Sequence, residues 1–252
     1  PTGPIVSTAD GKVSQNRTYQ DLLKNPQDEK NFETLTASEI YNVDFSGNLK
    51  KLKDQDMYAG LSFSPDGNYL MATVIKKPFS YIVPLNRFPS TTVVYDTKGN
   101  AVKTVNEVPL NEIMPKGFSS VRTGKRDMGW RSDAPATLTY AEALDGGDQS
   151  KAADYRDEIF TWEAPFTAAP KSFFKTKQRY DDVVWTNDHY AIVSEGWYDT
   201  RNTKSYLIDI NNGESKVFDD RNYQDWIQQN STAFRLLQRH IKPEIWSLVR
   251  YR

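Results

Sequence analysis

Trp130-Arg131-Ser132-Asp133-Ala134-Pro135-Ala136-Thr137-Leu138-Thr139-Tyr140-Ala141-Glu142-Ala143-Leu144-Asp145-Gly146-Gly147-Asp148 reads as a strand end, a tight turn, a second strand and a loop. Trp130 closes the first strand. Ser132-Asp133-Ala134-Pro135 is turn chemistry, because Asp bonds its own backbone and Pro fixes φ. Leu138, Tyr140 and Ala141 open an alternating strand, and Asp145-Gly146-Gly147-Asp148 stops it. The same order recurs upstream at Leu61-Ser62-Phe63-Ser64-Pro65-Asp66-Gly67-Asn68-Tyr69-Leu70 and downstream at Val183-Val184-Trp185-Thr186-Asn187-Asp188-His189-Tyr190-Ala191-Ile192. Each copy is an aromatic, a short polar turn and an apolar strand. A local unit repeated at unequal intervals predicts blades of a β-propeller with loop insertions.

Working outward, Ile40 to Phe45 alternate in period two, Ser46-Gly47-Asn48 is a hairpin turn, and Leu49 to Leu52 return. This predicts the outer hairpin of a first, incomplete blade. The next blade takes Ala59 to Phe63 and Tyr69 to Ile75 inside, with Thr91 to Tyr95 and Ala101 to Val105 as its outer hairpin. Between them Lys76 to Pro89 carries three prolines, too many for a central strand, so it is a loop with an aromatic filling. A connection follows over Pro109 to Asp127. The blade opened at Trp130 continues through Asp157 to Glu163 and around Lys171 to Lys175. A last blade takes Asp182 to Trp185, Tyr190 to Glu195, Ser205 to Ile210 and Ser215 to Phe218, with Asn211-Asn212-Gly213 as its hairpin turn.

The fold class expected is therefore all-β: a partial propeller of about four blades over 39–222. An extended N-terminal arm precedes it over 1–38, with a short helix starting near Thr18 and ended by Pro26. After Tyr223 the composition shifts to a basic tail over 223–252. From Trp226 onward Arg235, Arg239, Lys242, Arg250 and Arg252 face one acid, Glu244, and Ser231-Thr232 is placed to cap a helix.

Composition narrows the function classes. Aromatics are 13% of 252 residues, which suits sheets packed face to face, and mean hydropathy is −0.70. A net charge of −1 gives no bulk pull toward nucleic acid or membrane. No apolar run reaches the ~20 residues of a membrane span. There is no Cys, so disulfide and thiolate chemistry are excluded while the compartment stays open.

Catalytic signatures are weak. Gly60-Leu61-Ser62-Phe63-Ser64, Gly117-Phe118-Ser119-Ser120-Val121 and Gly213-Glu214-Ser215-Lys216-Val217 lack the second Gly of a nucleophile elbow. His189 falls in a turn, and His240 lies on the candidate tail helix. Asp145 and Asp148 supply a minority of the oxygens a calcium site needs, so they read as turn residues. No cofactor or metal is implied. Arg87, Arg122, Lys125, Arg126 and Arg131 are the candidate substrate-binding residues: a basic group on one rim would attract acidic peptide side chains, since Arg pairs bidentately with carboxylate. The plainer reading is a solvated rim satisfied by the chain's own acids. Likewise Phe79, Tyr81 and Phe88 either form a peptide platform or fold a long loop onto its blade.

Several strings carry a family resemblance: Pro1-Thr2-Gly3-Pro4-Ile5-Val6, Arg17 to Leu23, Ser64 to Leu70, Pro78-Phe79-Ser80-Tyr81 with Arg87-Phe88-Pro89, Trp130 to Pro135, and Glu142 to Asp148. Together they resemble the N-terminal part of glutamyl endopeptidases, serine peptidases of the prolyl oligopeptidase family, from Pro1 to about Gln224. The resemblance implies a propeller that restricts access to a catalytic α/β-hydrolase domain and helps hold peptide substrates. That domain is the missing partner, and the triad lies in it, so this chain supplies no catalytic residue. It favours an extracytoplasmic location. The chain departs from the family after Asp220 to Asp225, where further strands are expected, and a truncation or frame change is the expected cause. The other reading from the residues is a stand-alone peptide- or protein-binding propeller.

Overall fold

The computed structural model describes residues 19–186 and 189–222. The turns expected near the N-terminus, Thr18, the helix expected in the tail and His240 fall outside them. Among the described residues fourteen strands follow one α-helix, with a single 3-10 turn at Leu85–Arg87 between two of them. β1 (Ser38–Val43) and β2 (Leu49–Asp56) form a hairpin. β3 (Tyr58–Phe63), β4 (Tyr69–Ile75), β5 (Ser90–Asp96) and β6 (Ala101–Val108) form one four-stranded sheet. β7 (Arg126–Trp130), β8 (Thr137–Ala143), β9 (Asp157–Glu163) and β10 (Lys171–Thr176) form the second. β11 (Arg179–Trp185), β12 (Tyr190–Trp197), β13 (Asn202–Asp209) and β14 (Ser215–Asn222) form the third. Every sheet is an antiparallel meander with neighbours in chain order, the pattern of propeller blades. The expected partial propeller is thus three full blades and a half-blade.

The repeated turn closes the inner pair of each blade in the same way. Ser64 N–H donates to Tyr69 O (2.9 Å), Arg131 N–H to Thr137 O (2.8 Å), and Thr186 N–H to Tyr190 O (3.1 Å). Side chains support the first: Asp66 Oδ1 accepts from Ser64 Oγ (2.5 Å) and Asn68 N–H (3.0 Å).

Burial follows from stacking. β8 is expected to alternate, yet Leu138, Thr139, Tyr140 and Ala141 are all buried. Its blade is covered on both faces, so both sets of side chains leave water. One face packs Leu138, Tyr140, Trp162 and Phe166 against Met71, Val94 and Val105 of the blade before. The other packs Ala141 and Ile159 against Tyr180, Val193 and Ile208 of the blade after.

The helix differs from expectation. Residues 19–23 are not helical; α1 spans Pro26–Thr36. Pro26 opens it rather than ending it, because its missing N–H and fixed φ suit the first helical position. Asn25 Oδ1 caps it from Asp28 N–H (3.0 Å), and Asp28 and Glu29 sit at the positive end of the dipole. Phe32 meets Phe79 edge-on (5.2 Å between centroids) and Phe88 (6.0 Å), while Phe79 and Phe88 stack at 5.4 Å. Phe79 and Phe88 are therefore buried inside the proline-rich loop and cannot serve as a peptide platform.

Candidate functional site

The two ends of the blades differ. At one end lie the inner-pair turns, joined by short bonds: Asp66 N–H donates to Pro135 O (3.0 Å) and Ser132 Oγ to Trp185 O (3.1 Å). At the other end lie the long connections 76–89, 109–125, 144–156 and 198–201, which interlock. Ser119 is the knot. Its N–H donates to Gln149 Oε1 (2.8 Å), its carbonyl accepts from Arg179 Nε (2.8 Å), and its Oγ accepts from Tyr198 N–H (3.0 Å). Val121 N–H donates to Gly147 O (2.9 Å), and Ser80 Oγ to Glu112 Oε1 (2.6 Å). This end also exposes Ile82, Ile113 and Phe118, whereas in the described turns of the other end only Phe45 is a comparably exposed large apolar side chain.

Beneath the interlocked loops runs a buried ion network. Arg179 donates through Nη2 to Asp145 Oδ2 (2.7 Å) and through Nη1 to Asp157 Oδ1 (3.0 Å). Arg126 Nη2 donates to Asp157 Oδ1 (2.6 Å), and Arg156 Nη1 to Asp145 Oδ2 (2.9 Å). Burial pushes the Asp145 carboxyl up, but the hydrogen bonds from Arg179 and Arg156 outweigh it and hold it below the usual range. For Asp157 burial prevails over Arg126 and Arg179, and its pKa is raised. Asp145 also accepts from Gly147 N–H (2.9 Å), so it is a turn residue, as expected, and an ion-pair hub, which local sequence does not reveal.

The five basic candidates do not form one patch. Arg126 is buried on Asp157. Arg131 lies at the short-turn end, bidentate on Asp133 (3.0 and 2.7 Å) and 3.9 Å from the Trp185 ring centre. β7 separates these two, so nearness in sequence places them at opposite ends of a strand. Lys125 Nζ donates to Val105 O (2.9 Å) and lies 4.4 Å from the Trp162 ring centre; burial lowers its pKa. The Arg87 guanidinium lies 5.3 Å from the Tyr19 ring centre.

Arg122 differs from these. It lines a cavity of about 250 Å3 walled by Val108, Pro109, Leu110, Ile113, Met114, Pro115 and Val121, with Asn111, Thr123 and Gly146 as its other members. Its guanidinium donates to the carbonyls of Thr123 (3.1 Å) and Lys125, and it makes no ion pair among the described residues. Burial, and then the charge of Arg126, lower its pKa. Asp127 is the carboxylate whose charge reaches Arg122, without an ion pair between them, and a largely apolar wall beside such a cation is suited to a ligand with an apolar body and an anionic group. Among the described residues no group of three or more His, Cys, Asp or Glu is placed to hold a metal, and no helix is long and apolar enough to cross a membrane.

No family model matches the chain. At the sequence level it is 36% identical over 230 residues to a probable chloroplastic glutamyl endopeptidase of Oryza sativa subsp. japonica, covering 89% of this chain and 24% of the relative. It is 35% identical over 241 residues to a probable chloroplastic glutamyl endopeptidase of Arabidopsis thaliana, covering 93% and 25%. Among solved structures, the Pyrococcus horikoshii acylaminoacyl peptidase aligns at TM-score 0.43 and 18% identity, covering 71% of this chain and 28% of that one. The β-propeller domain of the Trilobed protease from Pyrococcus furiosus aligns at 0.41 and 17%, covering 73% and 50%. The two sequence matches bear out the resemblance to glutamyl endopeptidases. The chain spans about a quarter of the length of the curated relatives it matches.

Proposed function

We propose that this chain is the access-restricting, peptide-holding propeller portion of a serine-type glutamyl endopeptidase, and that the nucleophilic chemistry is carried by a hydrolase domain outside it. The loop-rich end meets the peptide. Arg122 takes an acidic side chain of the substrate, with the surrounding apolar wall covering its methylene groups. One observation carries this reading: Arg122 lines the cavity without an ion pair among the described residues. Arg126 and Arg131 are poorer choices, since a substrate carboxylate would have to displace Asp157 or Asp133.

Fluorescence anisotropy with a labelled Glu-containing peptide and its Gln counterpart tests the reading on the 252-residue chain. We expect the Glu peptide to bind more tightly and to lose that advantage in high salt and in Arg122→Gln. Equal binding of both peptides, or a preference that survives Arg122→Gln, overturns the assignment. Turnover of either peptide by this chain alone overturns the placement of the chemistry outside it.

A further inference from the structure

The turn between β1 and β2 repeats the turn between β5 and β6. In Asp44-Phe45-Ser46-Gly47-Asn48, Asp44 Oδ1 accepts from Ser46 N–H and Asn48 N–H (both 2.9 Å), and Oδ2 accepts from Asn48 Nδ2 (2.8 Å). In Asp96-Thr97-Lys98-Gly99-Asn100, Asp96 Oδ1 accepts from Lys98 N–H and Asn100 N–H (both 2.9 Å), and Oδ2 accepts from Asn100 Nδ2 (2.9 Å). Gly47 and Gly99 both take positive φ, +85° and +86°. β5–β6 is the outer half of its blade. The β1–β2 hairpin is built the same way and feeds the inner strand β3, as β6 and β10 feed β7 and β11. It is therefore the outer half of a blade with no inner half among the described residues.

Its seating agrees. β2 lies over the outer half of the next sheet, where Lys53 Nζ reaches Gly99 O (3.4 Å) and stands 4.2 Å from the Tyr95 ring centre. On that face the innermost strand is uncovered: Leu61 and Phe63 of β3 are 51% and 64% exposed, while Leu70 and Ala72 of β4 beside them are buried. In the next blade the corresponding residues, Met128 and Trp130, pack into the inter-blade core. Beside this gap β1 pairs with β2 alone, so one edge of its backbone has no ladder partner among the described residues. An open edge selects a strand, and a half-blade two strands short of its four-stranded neighbours selects a hairpin.

We propose that this half-blade is completed by a two-stranded antiparallel hairpin from a distant part of the same polypeptide. The hairpin follows the aromatic, turn, apolar-strand order of the three inner pairs, sets apolar side chains on Leu61 and Phe63, and pairs its second strand with the free edge of β1. The ring then closes through backbone hydrogen bonds in a blade of mixed origin. The source rests on the function proposed above, in which the chain belongs to a polypeptide about four times as long, as its relatives are.

The chain has no Cys, so single cysteines report cleanly. Leu61→Cys and Val184→Cys, on the two outer faces of the blade stack, are labelled with a maleimide in the 252-residue chain and in the full-length polypeptide. Amide exchange is followed at β1. We expect both thiols to react readily in the short chain. In the full-length polypeptide we expect both to be slowed about tenfold or more, together with the β1 amides that β2 leaves unbonded. Protection of Val184→Cys without Leu61→Cys overturns the closure while leaving the longer propeller intact. Reactivity at both positions overturns the longer propeller itself. Protection of Leu61→Cys with fast β1 amides overturns the strand pairing. Protection already present in the short chain and rising with its concentration assigns the face to a second copy and overturns the proposal.

Discussion

Arg179 and Asp145, 34 residues apart, meet at 2.7 Å with both side chains buried. The same guanidinium holds Asp157 and the carbonyl of Ser119, so one side chain ties the first strand of the third blade to the loops of the second. Removing one member of such a network leaves an uncompensated buried charge. Arg179→Met should destabilise the chain by about 3–5 kcal/mol in urea unfolding. The double variant Arg179→Met/Asp145→Asn should recover part of that loss. A single variant within about 0.5 kcal/mol of the parent would show the network to be solvated rather than buried.

Gly147 and Gly213 separate two effects that substitution usually mixes. Both have φ +76°. A Cβ on Gly213 meets nothing within 4 Å, whereas one on Gly147 would lie 2.0 Å from Val121 O, part of the bond that docks two loops. Gly213→Ala should cost about 1–2 kcal/mol from backbone conformation alone. Gly147→Ala should cost more and should also speed amide exchange at Val121. Equal costs would mean that the loop at 144–156 shifts freely.

Much of the blade order is legible locally. Phe63, Trp130 and Trp185 each precede a polar turn and an apolar strand, and the turn's bonds lie within a few residues of chain. The helix is ambiguous at the same scale: Pro26 both ends a preceding helix and opens a following one, and the difference lies in Asn25 and the acids after it. The ion network is not legible, because Arg126 and Asp157 are joined across 31 residues and nothing in the local period marks them. The basic group misleads for a related reason. Arg122 and Arg131 are near in sequence, but a strand stands between them, so one faces the loop-rich end and the other the short-turn end.

The aromatic contact of α1 makes a further prediction. Phe88 is buried between Phe79 and Phe32, and Ile75 and Val83 complete the cluster. Phe88→Ala should cost about 3–5 kcal/mol. Phe32→Ala, on the helix side and only partly buried, should cost less. Its signature should be local: faster amide exchange over Pro26–Thr36 with the blade strands unchanged. Uniform acceleration across the blades would mean that the helix is integral to the propeller core.

Acid should unfold the chain, with one carboxylate opposing the trend. Hydrogen bonds hold Asp44, Asp66 and Asp96 below the usual range, through Asn48, Ser64 and Asn100 respectively, and Asp145 lies low despite burial. A carboxylate lowered in the native state binds fewer protons there than when unfolded. Its stabilisation is present above the unfolded value of about 3.9 and is lost as the pH falls through the folded one. Asp157 has the reverse sign. Burial raises it, so the native state takes up its proton first and gains stability as the pH falls toward the unfolded value. The urea midpoint should therefore fall as the pH drops below about 4, while protonation of Asp157 opposes any earlier fall above that value. Asp157→Asn removes the opposing group. Whatever its cost at neutral pH, its midpoint should fall more steeply with acid than the parent's. An unchanged or shallower slope would mean that Arg126 and Arg179, not burial, dominate at Asp157.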